Sequence, residues 1–252
     1  MEMRTPQTLD ELRERFDAIA GEYGARWDVE EANRLEIAPI MREIAGGILE
    51  IGCGNGRFIE KFFDPQRQVV TGVDFSLNML RAAAERLKSA QGRIFLVQAE
   101  GTALPFGDES FDAVACINTI HSIPDGDAAA GVLREAARVL KGGGHLVLEF
   151  RNRFNPARRI IERRQIMFLP QKTYSFFEIA RVLRREGLGV KRVVPLPVRS
   201  FTIHRGRILY VRFRRLVSSL NYLFQSRRMF APCVCVVFVK RAKTAAIPVI
   251  HS

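Results

Sequence analysis

The stretch Leu49-Glu50-Ile51-Gly52-Cys53-Gly54-Asn55-Gly56-Arg57 decides how the rest of the chain is read. An apolar run of strand character enters a turn with three glycines in five positions, and a helical pattern follows. Glycine lets a backbone approach a ligand closely and take left-handed angles that other residues avoid. A dinucleotide fingerprint needs G-x-G-x-x-G. Counted from Gly52, its third glycine falls on Arg57. The spacing is instead G-x-G-x-G, with an acidic residue two positions before the first glycine, and no G-x-x-x-x-G-K-[ST] occurs. The turn suits a nucleoside ligand that is zwitterionic and smaller than a dinucleotide.

Strands alternate with helices on both sides of this turn. Leu9, Leu12, Phe16 and Ile19 recur at helical spacing over Thr8–Ala20, and Val29–Ile44 predicts a second helix. Downstream, Gln68–Val73, Arg93–Gln98, Phe111–Ile117 and His145–Phe150 read as strands. A helix over Leu77–Lys88 follows Ser76, a residue suited to an N-cap. Another covers Asp127–Leu140, and Lys141-Gly142-Gly143-Gly144 is expected to stop it before the fifth strand. This order implies a parallel sheet with helices on both faces. Asn155-Pro156 opens a short basic helix through Arg164, followed by a helix over Phe176–Arg185 and strands at Val190–Pro195 and Val234–Val239.

The chain has 252 residues, 47% hydrophobic and 26% charged, enough apolar material for one sizeable core. Disorder, a collagen and a disulfide-stapled miniprotein are thereby excluded. The net charge of +12 is unevenly placed. Residues 1–150 carry 16 basic and 24 acidic side chains, residues 151–252 carry 23 and 3. Cys53, Cys116, Cys233 and Cys235 sit in apolar surroundings and read as reduced core residues. Cys233-x-Cys235 lacks a second pair to complete a metal site, so no metal is expected. The charged N-terminus has no signal-peptide pattern, and the longest apolar run, Cys233 to Val239, is too short for a membrane span. A cytoplasmic protein is expected.

Several further segments resemble the class I S-adenosylmethionine-dependent methyltransferases, and in particular their ubiquinone/menaquinone-type small-molecule branch. They are Val73-Asp74, then Gln98 to Phe106 (QAEGTALPF), Phe111-Asp112-Ala113-Val114, Asn118 to Asp125 (NTIHSIPD) and Arg138 to Gly144 (RVLKGGG). Phe16-Asp17-x-x-Ala20-x-x-Tyr23 is similar to that branch's entry helix. The resemblance covers roughly residues 16 to 150, and 174 to 240 only as architecture. It implies a doubly wound, Rossmann-like α/β fold of seven strands with the last antiparallel and with helical caps. It also implies S-adenosyl-L-methionine as cofactor. One domain over 1–252 follows, with an N-terminal cap at 1–45, a cofactor core at 46–150 and a basic part at 151–252 that carries an insertion at 200–230.

On this resemblance the cofactor-binding residues are Glu50, Gly52, Cys53, Gly54, Asn55, Gly56, Asp74, Phe75, Glu100, Gly101 and Asn118. Asp74 would accept from both ribose hydroxyls, because a carboxylate offers two oxygens to a vicinal diol. Phe75 would pack on the adenine, or serve the core. Glu100 would meet the adenine amino group, at a position where the family more often has Asp. Glu50 would reach the methionine end or order the loop, while Cys53 and Asn55 contribute backbone. Asn118 would stand beside the methionine part and the methyl group. His121 is the candidate proton acceptor, against the plainer reading of a structural histidine.

The acceptor implied is a small metabolite, apolar or amphiphilic, with an O, N or C nucleophile. Ile208–Arg228, read as a helix, places Leu209, Phe213, Leu216, Val217, Leu220 and Phe224 on one stripe flanked by arginines. Such a helix is either a lid over the acceptor or a peripheral contact of 205–230 with an anionic membrane face, and the two are compatible. Arg153, Arg158, Arg159, Arg163 and Arg164 extend the positive surface toward an anionic head group. RNA methylation ranks second, since the loop Cys116-Ile117-Asn118-Thr119 departs from the Asn/Asp-Pro-Pro-aromatic signature of base amino-methyltransferases. A cofactor-binding scaffold without catalysis ranks third.

Overall fold

The computed structural model describes residues 6, 8–21, 23, 37–64, 66–90, 92–155, 172–196 and 233–242. In chain order the elements are α1 (Leu9–Ile19), α2 (Ala38–Glu43), β1 (Gly46–Ile51), α3 (Arg57–Phe62), β2 (Gln68–Asp74) and α4 (Leu77–Arg86). There follow β3 (Ile94–Gln98), β4 (Phe111–Cys116), α5 (Gly126–Val139), β5 (Leu140–Arg151), α6 (Phe176–Arg185), β6 (Leu188–Leu196) and β7 (Cys233–Lys240). The sheet order is β3-β2-β1-β4-β5-β7-β6. β1 to β5 pair in parallel, and β7 enters antiparallel between β5 and β6. The order reverses beside β1, and both β1 and β4 end there, which is where open α/β sheets place their ligands.

The central strands are buried on both faces, so they read as nearly continuous apolar runs rather than alternating ones. On one face α5 and α6 bury Val132, Leu133, Ala136, Ile179 and Leu183 against β4, β5 and β7. On the other, α2 and α3 cover Ile48, Ala113, Val147 and Cys235. Each large side chain so buried stabilises the fold by about 1.5–3 kcal/mol. Helix starts follow their capping residues. Ser76 Oγ accepts the Met79 N–H at 3.1 Å, Asp125 accepts from Asp127 and Ala128, and Ser175 with Glu178 forms a reciprocal capping box.

The glycine run 142–144 departs from its expected role as a turn ahead of the strand. β5 starts at Leu140, directly where α5 ends. Phe111 pairs with Leu140 and Ala113 with His145, so the extra residues bulge out of the ladder. Gly143 has φ +80°, and a Cβ on Gly144 would lie 2.8 Å from the Asp112 carbonyl oxygen. The glycines let the strand continue past β4 instead of ending it. α4 stops at Arg86 and passes into a 3-10 turn at Lys88–Ala90.

All four cysteines are buried and none is in a disulfide, and burial raises the thiols of Cys53, Cys116 and Cys235, which keeps them protonated. Among the described residues no group of His, Cys, Asp and Glu is arranged to hold a metal ion. No described helix is long and apolar enough to cross a membrane. Of the helix expected over Val29–Ile44, residues 29–36 lie outside the described residues and α2 lies within the rest, while the helices expected at 156–164 and 208–228, with Arg158, Arg159, Arg163 and Arg164, lie outside them. Arg153 is described, and its guanidinium donates to Glu178 at 2.6 Å and to the Thr173 carbonyl at 3.1 Å. These contacts tie it to α6 and to the segment just before that helix.

Candidate active site

The glycine turn is bound to the end of β2. The N–H groups of Gly52 and Cys53 both donate to the Val73 carbonyl, at 2.8 and 3.0 Å. Asp74 Oδ2 accepts the Gly54 N–H at 2.8 Å, and Oδ1 accepts the Ser76 N–H at 2.9 Å. Gly52, Gly54 and Gly56 all have positive φ, but for different reasons. A Cβ on Gly52 would lie 2.5 Å from Thr119 Cγ2, and one on Gly56 would lie 2.7 Å from Leu87 Cδ1. Above Gly54 the nearest atom is 4.0 Å away, on Tyr23. Only at Gly54 does the missing side chain leave open space for a ligand.

That space belongs to a cleft of about 770 Å³, its open mouth included. Its floor is the strand ends, with Ile51, Gly52, Val73, Asp74, Asn118 and Thr119. Phe75, Met79, Glu100 and Gly101 close the β2–β3 side, while Ser122, Ile123 and Val132 stand at the β4 side. Leu9, Leu12 and Phe16 of α1, with Tyr23, form the cover. Phe16 meets Phe75 and Tyr23 edge to face, with centroids 6.0 and 5.8 Å apart. Asp17 Oδ1 accepts from Ser76 Oγ at 2.5 Å and from the Asn78 N–H at 3.1 Å. Arg13 Nη2 reaches Glu100 Oε1 at 2.8 Å. α1 is thus fastened to the start of α4 and to the segment after β3.

Burial pushes the Asp74 carboxyl up to about 6, with the Asp17 charge adding to the rise and the N–H groups of Ser76, Gly54 and Phe75 opposing it. A carboxylate has about four acceptor sites; the turn uses one on each oxygen, which leaves acceptor capacity toward the cleft.

Asn118 closes the far end of the floor. Its φ of +57° is left-handed, a conformation that Asn tolerates better than most residues. Its Oδ1 accepts Nη2 of the buried Arg151 at 2.9 Å. Arg151 Nη1 also meets Cys233 Sγ at 2.7 Å and lies 3.6 Å from Glu149 Oε1. Thr119 Oγ1 lies 3.0 Å from the carbonyl oxygens of both Ile51 and Ile117, tying β1 to β4.

Of the residues that the sequence picks out, Gly52, Gly54, Asp74, Phe75, Glu100, Gly101 and Asn118 meet around the cleft. Glu50, Cys53, Asn55, Gly56 and His121 do not line it. Glu50 is 1% exposed on the face of β1 turned toward α2 and α3. Cys53 packs with Ile59, Val70 and Leu80. Asn55 is buried, and its carbonyl accepts from Arg86. Gly56 caps α3. His121 is also 1% exposed, inside a 3-10 turn whose carbonyl accepts the Lys172 N–H at 2.7 Å. In this arrangement its imidazole is a core group, away from the cleft wall. Glu100 is engaged by Arg13, so an adenine amino group would share that carboxylate. Thr119, Ser122 and Arg151 escaped the sequence reading. For Arg151 a signal existed: Glu149 and Arg151 lie two apart in an apolar strand, on one face, where a lone charge would be costly.

The donors and acceptors fit the S-adenosyl group that the resemblance implies. A buried carboxylate with free lone pairs suits a ribose diol, aromatic and aliphatic walls suit a purine, and the space above Gly54 admits close backbone contact. A family model described as a methyltransferase domain matches residues 49–148. The ubiquinone/menaquinone biosynthesis C-methyltransferase UbiE of Syntrophotalea carbinolica is 37% identical over 160 residues, covering 58% of this chain and 64% of that protein. An uncharacterised protein of Methanocaldococcus jannaschii, MJ1123, is 32% identical over 181 residues, covering 71% of this chain and 82% of its own length. Of the first three curated relatives that it matches, the chain spans between 46% and 64%. The solved structure of the N-methyltransferase NodS from Bradyrhizobium japonicum, in complex with S-adenosyl-L-homocysteine, shares the fold with a TM-score of 0.63. It is 14% identical and is aligned over 91% of this chain and 98% of its own.

Proposed function

We propose that this chain, which belongs to the class I S-adenosylmethionine-dependent methyltransferases, transfers a methyl group to an oxygen, nitrogen or carbon nucleophile of a small, apolar or amphiphilic metabolite. When bound, S-adenosylmethionine supplies a methyl group on a sulfonium leaving group. The chain's own residues bind, align and shield. Asp74 accepts from the ribose, the Gly54 backbone allows close approach, and α1 excludes water with Leu9, Leu12 and Phe16. Alignment in a dry site can account for much of the rate of such a displacement.

The observation that carries the reading is the composition of the cleft wall. Most of it is apolar, its polar side chains including Asp74, Glu100, Thr102, Asn118, Thr119 and Ser122, and among the described lining residues none is lysine or arginine. That suits a small apolar acceptor, and no described lining residue is a cation that would hold a polyphosphate chain. The relatives named for quinone biosynthesis support the same class of acceptor. The test is transfer of a labelled methyl group from S-adenosylmethionine in an extract, followed by phase separation. Label is expected among lipid-soluble small molecules; label in RNA overturns the reading. The basic pattern at 205–230 extends the proposal to an anionic membrane face. Vesicles rich in anionic lipid should carry the protein upward in flotation and neutral vesicles should not; failure to float removes this extension.

A further inference from the structure

We infer that Arg151 is a positioning residue, which turns the Asn118 amide so that its NH2 group donates into the cleft to the carboxylate at the methionine end of the cofactor. The inference rests on reading the cleft as the S-adenosyl site. It begins from the chemistry of the pair. A guanidinium carries five donors and no acceptor, so the side of the amide that faces Arg151 Nη2 at 2.9 Å must be the oxygen. The orientation of the amide is therefore fixed by its partner. With Oδ1 engaged, Asn118 has only N–H donors left to present, and no described residue accepts from them.

Arg151 is well placed to impose this. It is 6% exposed at the end of β5, and Cys233 on β7 and Glu149 two residues earlier hold its other side. A buried cation so fixed polarises the amide that accepts from it, and this strengthens the amide's own N–H donors. The left-handed backbone at Asn118 sets that side chain on the cleft floor.

The direction of the ligand supplies the partner. Asp74 and Phe75 mark the adenosine end, on β2. Asn118 lies just past the end of β4, two strands across the sheet. An extended zwitterion anchored at Asp74 brings its amino-acid end toward β4, where a polarised donor favours the carboxylate.

The test is calorimetric titration with two probes. S-adenosylhomocysteine carries the amino-acid carboxylate, and 5′-methylthioadenosine lacks it. Asn118→Asp keeps the size of the side chain and the buried arginine but offers only acceptors to the cleft. It should weaken S-adenosylhomocysteine by about tenfold or more, while 5′-methylthioadenosine changes by less than about threefold. Arg151→Met should show the same selective loss, and Arg151→Lys, which keeps a donor, should recover most of it. A loss shared equally by both probes reports a damaged cleft and overturns the positioning role. So does unchanged S-adenosylhomocysteine binding in Asn118→Asp. If the wild-type chain binds neither probe, the cofactor reading itself fails, and it is distinguished in that way from failure of the inference.

Discussion

Asp74 and Gly54 are joined by a 2.8 Å hydrogen bond from the glycine's N–H to the carboxylate, across the gap between β2 and the turn after β1. The same carboxylate holds the Ser76 N–H at the start of α4. One side chain thus sets the shape of the turn and presents the polar floor of the cleft. Removal of that carboxylate therefore has two effects. Asp74→Ala is expected to weaken S-adenosylhomocysteine by about tenfold to a hundredfold and to lower stability by about 1–3 kcal/mol, because buried N–H groups lose an acceptor. Titration calorimetry with thermal melts reads both, and unchanged binding would falsify the assignment.

The raised Asp74 carboxyl gives a pH signature. The ionised form is the one that accepts from a diol, so affinity for S-adenosylhomocysteine should rise through about pH 6 and level off above it. The stability of the free protein runs the other way. A carboxyl whose folded pKa is raised contributes stability that is fully present below about pH 4 and lost as pH climbs through the folded value. Asp74→Asn should flatten both curves. Melts from pH 3.5 to 8 and titrations from pH 5 to 8 measure them, and an affinity that falls over this range contradicts the account.

Two glycines of the same turn should respond differently to alanine. Gly52→Ala places a Cβ 2.5 Å from Thr119 at φ +72°, and should destabilise by about 2–4 kcal/mol. Gly54→Ala meets nothing closer than 4.0 Å, so only the left-handed backbone costs, about 1–2 kcal/mol. Its methyl group enters the cleft, however, and cofactor binding should be lost from a protein that still folds. Denaturant melts and ligand titration separate the two.

Arg138 links α5 to the segment after β3. It donates to Glu135, to Asp108 and to the carbonyls of Leu104 and Phe106. Glu135 in turn accepts the Leu104 N–H at 2.7 Å. Arg138→Ala is expected to cost about 2–3 kcal/mol and to loosen residues 104–108. Faster hydrogen exchange there, with α4 unchanged, is the check.

The sheet was legible because its strands are apolar on both faces and glycine or a capping residue marks their ends. The turn at Gly52–Gly56 and Asp74 were legible because their spacing follows local chain geometry. That geometry could not say which glycine meets a ligand: Gly54 faces the cleft, whereas Gly56 meets Leu87 just past the end of α4. It could not show that Lys141–Gly144 bulges out of β5, since the bulge depends on pairing with β4. Nor could it place His121 in the core or bring Arg13 to Glu100, 87 residues away.

The sequence by itself determined the fold class, the ligand turn and the acidic partner on the next strand. Each rests on the order of residues within a short stretch, and period and spacing carry that information. The tertiary structure alone decided which of those residues share a cavity, what α1 covers, and that Arg151 stands behind Asn118. Such relations are set when distant strands and helices pack, and a side chain's chemistry then depends on neighbours that the linear chain keeps apart.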